Sequence, residues 1–96
     1  MDSIDYTPTK PVAEFPYEMK TTNIMEHSHG IAWTANLLRE GTVIGIIEQM
    51  GDGGADRVFV TEKDDRAKWE SDVAKAFPGL TEEAATYYLL YQEDEV

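Results

Sequence analysis

The sequence of 96 residues contains no cysteine, which excludes disulfide bridges, thiolate metal ligands and a cysteine nucleophile. Small secreted domains commonly depend on disulfides, because their cores alone are too small to stabilise them. The absence of cysteine therefore favours a reducing compartment, and we expect a cytoplasmic protein.

Long apolar runs are also absent. The most apolar stretches lie around residues 31–38 and 43–47, far short of the ~20 residues that a membrane-spanning helix needs. The N-terminus reads Met-Asp-Ser-Ile-Asp and lacks the basic and apolar segments of a signal peptide. We therefore expect neither secretion nor membrane attachment.

Basic residues are few. The chain carries 8 Lys and Arg against 19 Asp and Glu, which gives a net charge of −11. A field of this sign repels phosphate backbones and anionic membranes, so direct nucleic-acid binding is not expected. It favours a protein partner with a basic surface, because opposite fields speed encounter. The simpler interpretation, that the charge keeps a small domain soluble, stays open.

The clearest pattern is a β-hairpin. Residues 31–38 and 43–47 flank Glu40-Gly41, a pair typical of a tight turn because glycine readily adopts positive φ. A two-residue loop pairs Leu37 with Ile44, and one face then carries the predicted core residues Ile31, Trp33, Ala35, Leu37, Ile44 and Ile46. Residues 17–24 predict an edge strand before the hairpin, and residues 57–61 predict a strand that pairs with its second half.

The period of the apolar residues changes after Thr61. Thr61 and Asp64 have the spacing of a capping box. Helical spacing relates the apolar residues Trp69, Val73, Ala76 and Phe77. A Pro-Gly pair at 78–79 ends this helix, and Thr81 is a suitable N-cap for a second helix that runs to about Gln92.

These elements predict an α+β fold, an antiparallel β-meander of three to four strands followed by two C-terminal helices packed on one face. Residues 1–16, with three of the four prolines, are expected to form an extended N-terminal arm. Residues 17–92 form the single α+β domain, and residues 93–96 form a frayed acidic tail.

Two segments have the composition of a ligand site. Residues 51–56 form an unusual loop whose candidate residues are Gly51, Asp52, Gly53, Gly54 and Asp56. Its carboxylates suit a hard cation such as calcium. His27 and His29 would point to one face of a strand, as half of a zinc or nickel site. Zinc wants three or four ligands and the chain has no other His or Cys, so only carboxylates could complete that site. The alternative interpretation of the loop is a plain inter-strand connection, and that of the histidines is side chains in solvent or at a dimer contact.

Catalytic signatures are weak. Ser28 lies between the two histidines, but adjacent residues of a strand point apart, so the three cannot form a hydrolytic triad. We therefore predict no enzyme activity and no cofactor.

The last helix is more apolar than a surface helix needs to be, and tyrosine is enriched in interface cores. The predicted partner-binding surface combines its apolar residues with the acidic first turns of both helices: Asp64, Asp65, Glu82, Glu83, Tyr87, Leu90 and Tyr91. Three occupants are left open for the apolar part. They are the N-terminal arm, a second copy of the chain in a homodimer, and a different protein.

Residues 29–56 contain His-Gly-Ile-Ala-Trp-Thr-Ala-Asn-Leu, then Glu-Gly-Thr-Val-Ile-Gly, then Gly-Asp-Gly-Gly-Ala-Asp. This order resembles a group of small uncharacterised proteins from actinobacteria and their phages with a Gly-Asp-Gly-Gly loop. The resemblance implies a phage or mobile-element origin, and hence the host cytoplasm. Small acidic phage proteins often bind and block a host protein. The resemblance therefore favours an accessory protein that binds, and inhibits, a basic protein partner. The alternative is a small-ligand or metal-binding module.

Overall fold

The computed structural model of the chain describes residues 10–27, 30–51 and 56–94. Its elements in chain order are β1 (Tyr17–His27), β2 (Gly30–Arg39), β3 (Thr42–Gln49), β4 (Arg57–Val60), α1 (Lys63–Ala76) and α2 (Glu82–Asp94). The strands form one antiparallel sheet in the order β1-β2-β3-β4. The predicted α+β meander followed by two helices is confirmed, with β1 as an edge strand.

The turn between β2 and β3 lies where the sequence predicts it. Glu40 and Gly41 have φ values of 51° and 85°, the left-handed backbone of a two-residue hairpin turn. The first pairs after the turn, Arg39 with Thr42 and Leu38 with Val43, also follow the predicted register.

Beyond these two pairs the predicted register is wrong. A β-bulge inserts Ile44 as an extra residue, so that Leu37 lies opposite Gly45 rather than opposite Ile44. The insertion exchanges the two faces of β3 from this point on. Ile46 is therefore 38% exposed on the outer face, and Ile47 takes its predicted place in the core.

Ile31 was also predicted in the core, and it is 51% exposed. β1 and β2 have 11 and 10 residues, whereas β4 has only four. The far end of the β1–β2 hairpin therefore extends past its shorter neighbours, and Ile24 beside it is exposed as well.

α1 begins one residue later than the predicted capping box allows. Its N-cap is Glu62, with no hydrogen bond from the capping side chain, so the assignment of Thr61 is wrong. Arg66 pairs with Glu70 at 3.2 Å along the exposed side of the helix. The opposite side buries Trp69, Val73 and Ala76.

The core lies between the helices and one face of the sheet. Its buried residues are Tyr17, Met19, Ala35, Leu37, Ile44, Ile47, Val58, Trp69, Val73, Ala76, Phe77, Ala85 and Leu89. Phe15, from the segment assigned to the N-terminal arm, joins this core, and its ring contacts those of Tyr17, Trp69 and Phe77. The backbone N–H of Val12 donates to the carbonyl oxygen of Ala76 at 2.8 Å. Residues 10–16 are therefore attached to the domain by packing and by hydrogen bonding.

Neither helix in the described part of the chain has the length and apolar character needed to cross a lipid bilayer.

Candidate interaction surface

Four of the five predicted partner residues of α2 lie on one side of the helix, which we call the outer face of α2: Glu83, Tyr87, Leu90 and Tyr91. Their spacing of four, three and one residues places them within one arc of a helix. Glu83 is exposed, Tyr91 is 39% exposed, and Tyr87 and Leu90 are half-buried. The rings of Tyr87 and Tyr91 pack at 6.0 Å between centroids. The result is a small aromatic surface beside a carboxylate.

The opposite side of α2 holds the helix on the domain. Ala85 and Leu89 are buried in the core. Thr86 is fully buried, and its Oγ1 lies 2.7 Å from Oδ2 of Asp56 and 2.9 Å from the carbonyl oxygen of Glu83. A hydroxyl has one proton and donates to one of these acceptors at a time. The outer face is therefore presented by a helix that is fixed from behind.

Glu82, the fifth predicted partner residue of α2, does not belong to the outer face. Its Oε1 accepts a hydrogen bond of 2.5 Å from the indole N–H of buried Trp69. Glu82 therefore has a structural partner inside the domain.

The acidic residues of α1 lie among basic residues of the same helix. Asp64 is exposed and Asp65 is half-buried in the first turn. Residues 62–76 contain five acidic and four basic residues, whereas residues 80–96 contain five acidic residues and no Lys or Arg. Of the two helices, α2 therefore has the surface of single sign.

The C-terminal end of α2 is attached to β1. Oε2 of Glu93 accepts the backbone N–H of Thr21 at 2.6 Å, and Oε1 accepts the Thr21 hydroxyl at 2.5 Å. The sequence assigned Glu93 to a frayed tail, but it lies in the helix, which runs to Asp94. This carboxylate caps the outward N–H of an edge strand next to its bulge between Thr21 and Asn23.

A cavity of about 620 Å³ lies between the edge of β1 and α2, and we call it the edge groove. Its apolar lining residues are Phe15, Tyr17, Met19, Tyr88 and Leu89. Its polar lining residues are Glu18, Lys20, Gln92 and Glu93. Sequence reasoning missed this groove, because it joins residues that lie about 70 positions apart.

Gly51, the first residue of the loop predicted as a ligand site, lies beside Gly30, the residue that follows the predicted histidine site. A Cβ atom built on Gly30 would lie 2.8 Å from the carbonyl oxygen of Gly51, so residues 30 and 51 touch. Asp52, Gly53, Gly54, His29 and the side chain of His27 lie outside the described residues. Asp56 is already engaged, because Gln49 Nε2 donates to its Oδ1 at 2.7 Å and Thr86 lies at its other oxygen. Within the described ranges no cluster of three metal-ligating side chains is found.

Tyr17 connects the edge strand to α1. Its hydroxyl donates to Oδ2 of Asp72 at 2.7 Å, and the guanidinium carbon of Arg39 lies 5.7 Å from its ring centroid. Burial, aided by the hydrogen bond and the charge of Asp72, raises the pKa of Tyr17 to about 12, although Arg39 acts in the opposite direction. The phenol is therefore kept neutral in the folded state.

A loss of stability at high pH follows from this shift. The pKa of Tyr17 is higher when folded, so its contribution is complete below pH ~10, where an unfolded tyrosine is also neutral, and is lost as the pH rises towards 12. We expect the urea midpoint of the wild type to fall more steeply between pH 9 and pH 12 than that of Tyr17→Phe. Parallel curves for the two proteins would contradict the assignment.

No family model, curated protein or solved structure matches the chain. The functional interpretation therefore depends on the surfaces of the molecule itself, and the resemblance to phage-type proteins stays a prediction.

Proposed function

We propose that this protein is an acidic interaction module that binds a basic protein partner through the outer face of α2. The observation that carries the proposal is the combination of Tyr87, Leu90 and Tyr91 with Glu83 on one helix face, in a segment without a single basic residue. Tyr87 and Tyr91 of this face lie outside the core, Leu90 packs against its margin, and Thr86 fixes the opposite side of the helix.

Each component of the face has a role in binding. Tyrosine supplies a large, rigid contact area with a polar tip, and it is enriched among interface residues that dominate binding energy. The carboxylates attract a basic surface and speed the encounter, an effect that salt weakens. Two copies of this chain would bring like charges together, so a different protein is favoured over a homodimer as the occupant.

Binding, rather than catalysis, is the proposed activity. If the resemblance to phage-type proteins reflects common origin, the partner is a host protein in the host cytoplasm, and its inhibition follows when the module covers a working basic surface. A basic surface that serves DNA or RNA is one such target, since an acidic module competes there with phosphate.

A charge reversal on the outer face tests this function. We expect Glu83→Lys to abolish capture of the basic partner from a lysate of the source cells at low salt, and we expect high salt to release the partner from the wild type. Substitution of Glu82 is unsuitable, because it breaks the bond to Trp69. Captured proteins are identified by mass spectrometry.

The matched control is Glu26→Lys, which changes the net charge equally but lies exposed on β1, away from α2. Capture should survive this substitution. Equal capture by both variants, or equal loss in both, would show that the outer face of α2 is not the binding site.

The alternative, a small-ligand or metal-binding module at residues 51–56, has one observation in its favour, the contact between Gly30 and Gly51. Against it, the carboxylate of Asp56 already has two hydrogen-bonding neighbours within the fold. We therefore place binding of a protein partner first.

A further inference from the structure

We propose that the edge groove binds an extended basic segment of the partner, which adds to the sheet as a fifth strand beside β1. This inference rests on the proposed function and names the form in which part of the partner is recognised. In such β-strand addition, main-chain hydrogen bonds give affinity, and pockets for alternate side chains give specificity.

Some peptide groups of β1 face away from β2 and are therefore oriented to pair with an added strand. In an antiparallel pair, residues alternate between those that bond to the neighbouring strand and those that face away from it. The carbonyl oxygen of Pro16 accepts the N–H of Glu40, so even-numbered residues bond towards β2. The N–H of Thr21 donates to Glu93 on α2, so odd-numbered residues face outward. Met19 is odd-numbered and lies between Tyr17 and Thr21, so its N–H and carbonyl face the edge groove.

Glu93 already occupies the place of an incoming strand at one end of the groove. Its carboxylate meets the N–H of Thr21 at 2.6 Å, as the carbonyl oxygen of a neighbouring strand would. The bulge between Thr21 and Asn23 then breaks the regular edge. At the other end, the N–H of Tyr17 already donates to the carbonyl oxygen of Phe15 at 2.9 Å. A bound strand therefore ends at Thr21 and meets the outward N–H of Met19.

The lining of the groove indicates which side chains the segment carries. Phe15, Met19 and Tyr88 offer an apolar floor to every second side chain of an extended chain. The rim carries the carboxylates of Glu18 and Glu93 against the single ammonium of Lys20. An alternation of apolar and basic residues fits both features, and a basic segment also matches the net charge of −11.

The test uses the full chain and a probe peptide, acetyl-Lys-Val-Lys-Val-Lys-amide, with a matched peptide in which the backbone nitrogens of the two valines are methylated. Both peptides carry the same charge, but the methylated one cannot donate from those positions or approach the edge closely. Binding is followed by the amide resonances of the isotope-labelled protein. We expect the amide signal of Met19 to shift, and we expect methylation to weaken binding at least ~10-fold, the effect of about one to two lost hydrogen bonds.

Two variants separate this groove from the outer face of α2. Gln92→Arg places a positive charge on the exposed rim of the groove and should weaken binding of the unmodified peptide about fivefold or more through repulsion. Glu83→Lys lies on the other side of the helix and should leave binding of the peptide nearly unchanged.

Equal affinity of the two peptides, shifts confined to the outer face of α2, or no binding of either peptide would each overturn strand addition. Partner capture that still depends on Glu83 would then leave the proposed function intact. Conversely, capture that is indifferent to Glu83 while the unmodified peptide binds at Met19 would refute the outer face and retain the groove.

Discussion

Replacement of Gly45 by alanine is expected to lower the free energy of unfolding by about 3 kcal/mol or more, the upper part of the range for overpacked sites. The added Cβ would lie 2.1 Å from the carbonyl oxygen of Phe59 and 2.9 Å from the Cα of Val60. Both are backbone atoms of β4, so no side-chain rotation relieves the clash. The strands would have to separate, and the pairing of Gly45 with Val60 would be lost.

Gly41→Ala is the matched control for this effect. Gly41 has a φ of 85°, but nothing lies within 4 Å of an added Cβ. The free energy of unfolding of this variant should therefore fall by only about 1–2 kcal/mol, the cost of a left-handed backbone for alanine. Urea unfolding, followed by far-ultraviolet circular dichroism, measures both variants. If Gly41→Ala proved as damaging as Gly45→Ala, close approach of β4 would not explain the glycine at position 45.

Trp69→Ala is expected to destabilise the fold by about 3–5 kcal/mol, a large part of the 5–15 kcal/mol typical of a domain. The indole is only 1% exposed and packs edge-on against Tyr17 at 4.9 Å between centroids. The substitution leaves a cavity beneath both helices and removes the donor to Glu82. The same urea measurement applies, with circular dichroism rather than tryptophan fluorescence as the signal.

Two further substitutions resolve the contributions of Trp69. Trp33→Ala removes the other tryptophan, which is half-buried, and should cost clearly less. Trp69→Phe keeps an aromatic ring but leaves the carboxylate of Glu82 without the indole N–H, so a loss of about 1–3 kcal/mol is expected. A loss below about 2 kcal/mol for Trp69→Ala would mean that the core does not depend on this ring.

Local signals in the sequence correctly predict the parts of the fold that local chemistry controls. The turn at Glu40 and Gly41 requires positive φ, and the glycine at position 41 predicts this turn. α1 ends at Ala76, just before the Pro-Gly pair, and α2 starts after Thr81, because proline cannot continue a helix and threonine suits an N-cap.

The bulge at Ile44 could not be predicted in the same way. Val43-Ile44 and Ile46-Ile47 are two apolar pairs, so either member of each pair could face the core under strict alternation. Gly45 of β3 lies against β4, where its lack of a side chain permits the close approach of Phe59 and Val60. This contact outside the hairpin favours the register in which Gly45, rather than Ile44, lies opposite Leu37.

The candidate surface likewise combines features that local sequence predicts with features that depend on distant contacts. Helical spacing alone places Tyr87 and Tyr91 on one arc of α2, so this part of the surface was predictable. The inward turn of Glu82 and the capping of Thr21 by Glu93 were not, since their partners lie 13 and 72 residues away and carry no local signature. Such polar pairs depend on the packing of whole elements.

Two side-chain hydrogen bonds join β1 to the helices across long stretches of sequence, and this separation affects how the chain folds. Tyr17 meets Asp72 across 55 residues, and Thr21 meets Glu93 across 72. Contacts of such separation slow folding, because a long loop must close before they form. During synthesis, the first strand therefore emerges long before its last partner exists. Until α2 has left the ribosome, the edge of β1 and its apolar residues stay open, so the nascent chain is vulnerable to misassociation until this helix emerges.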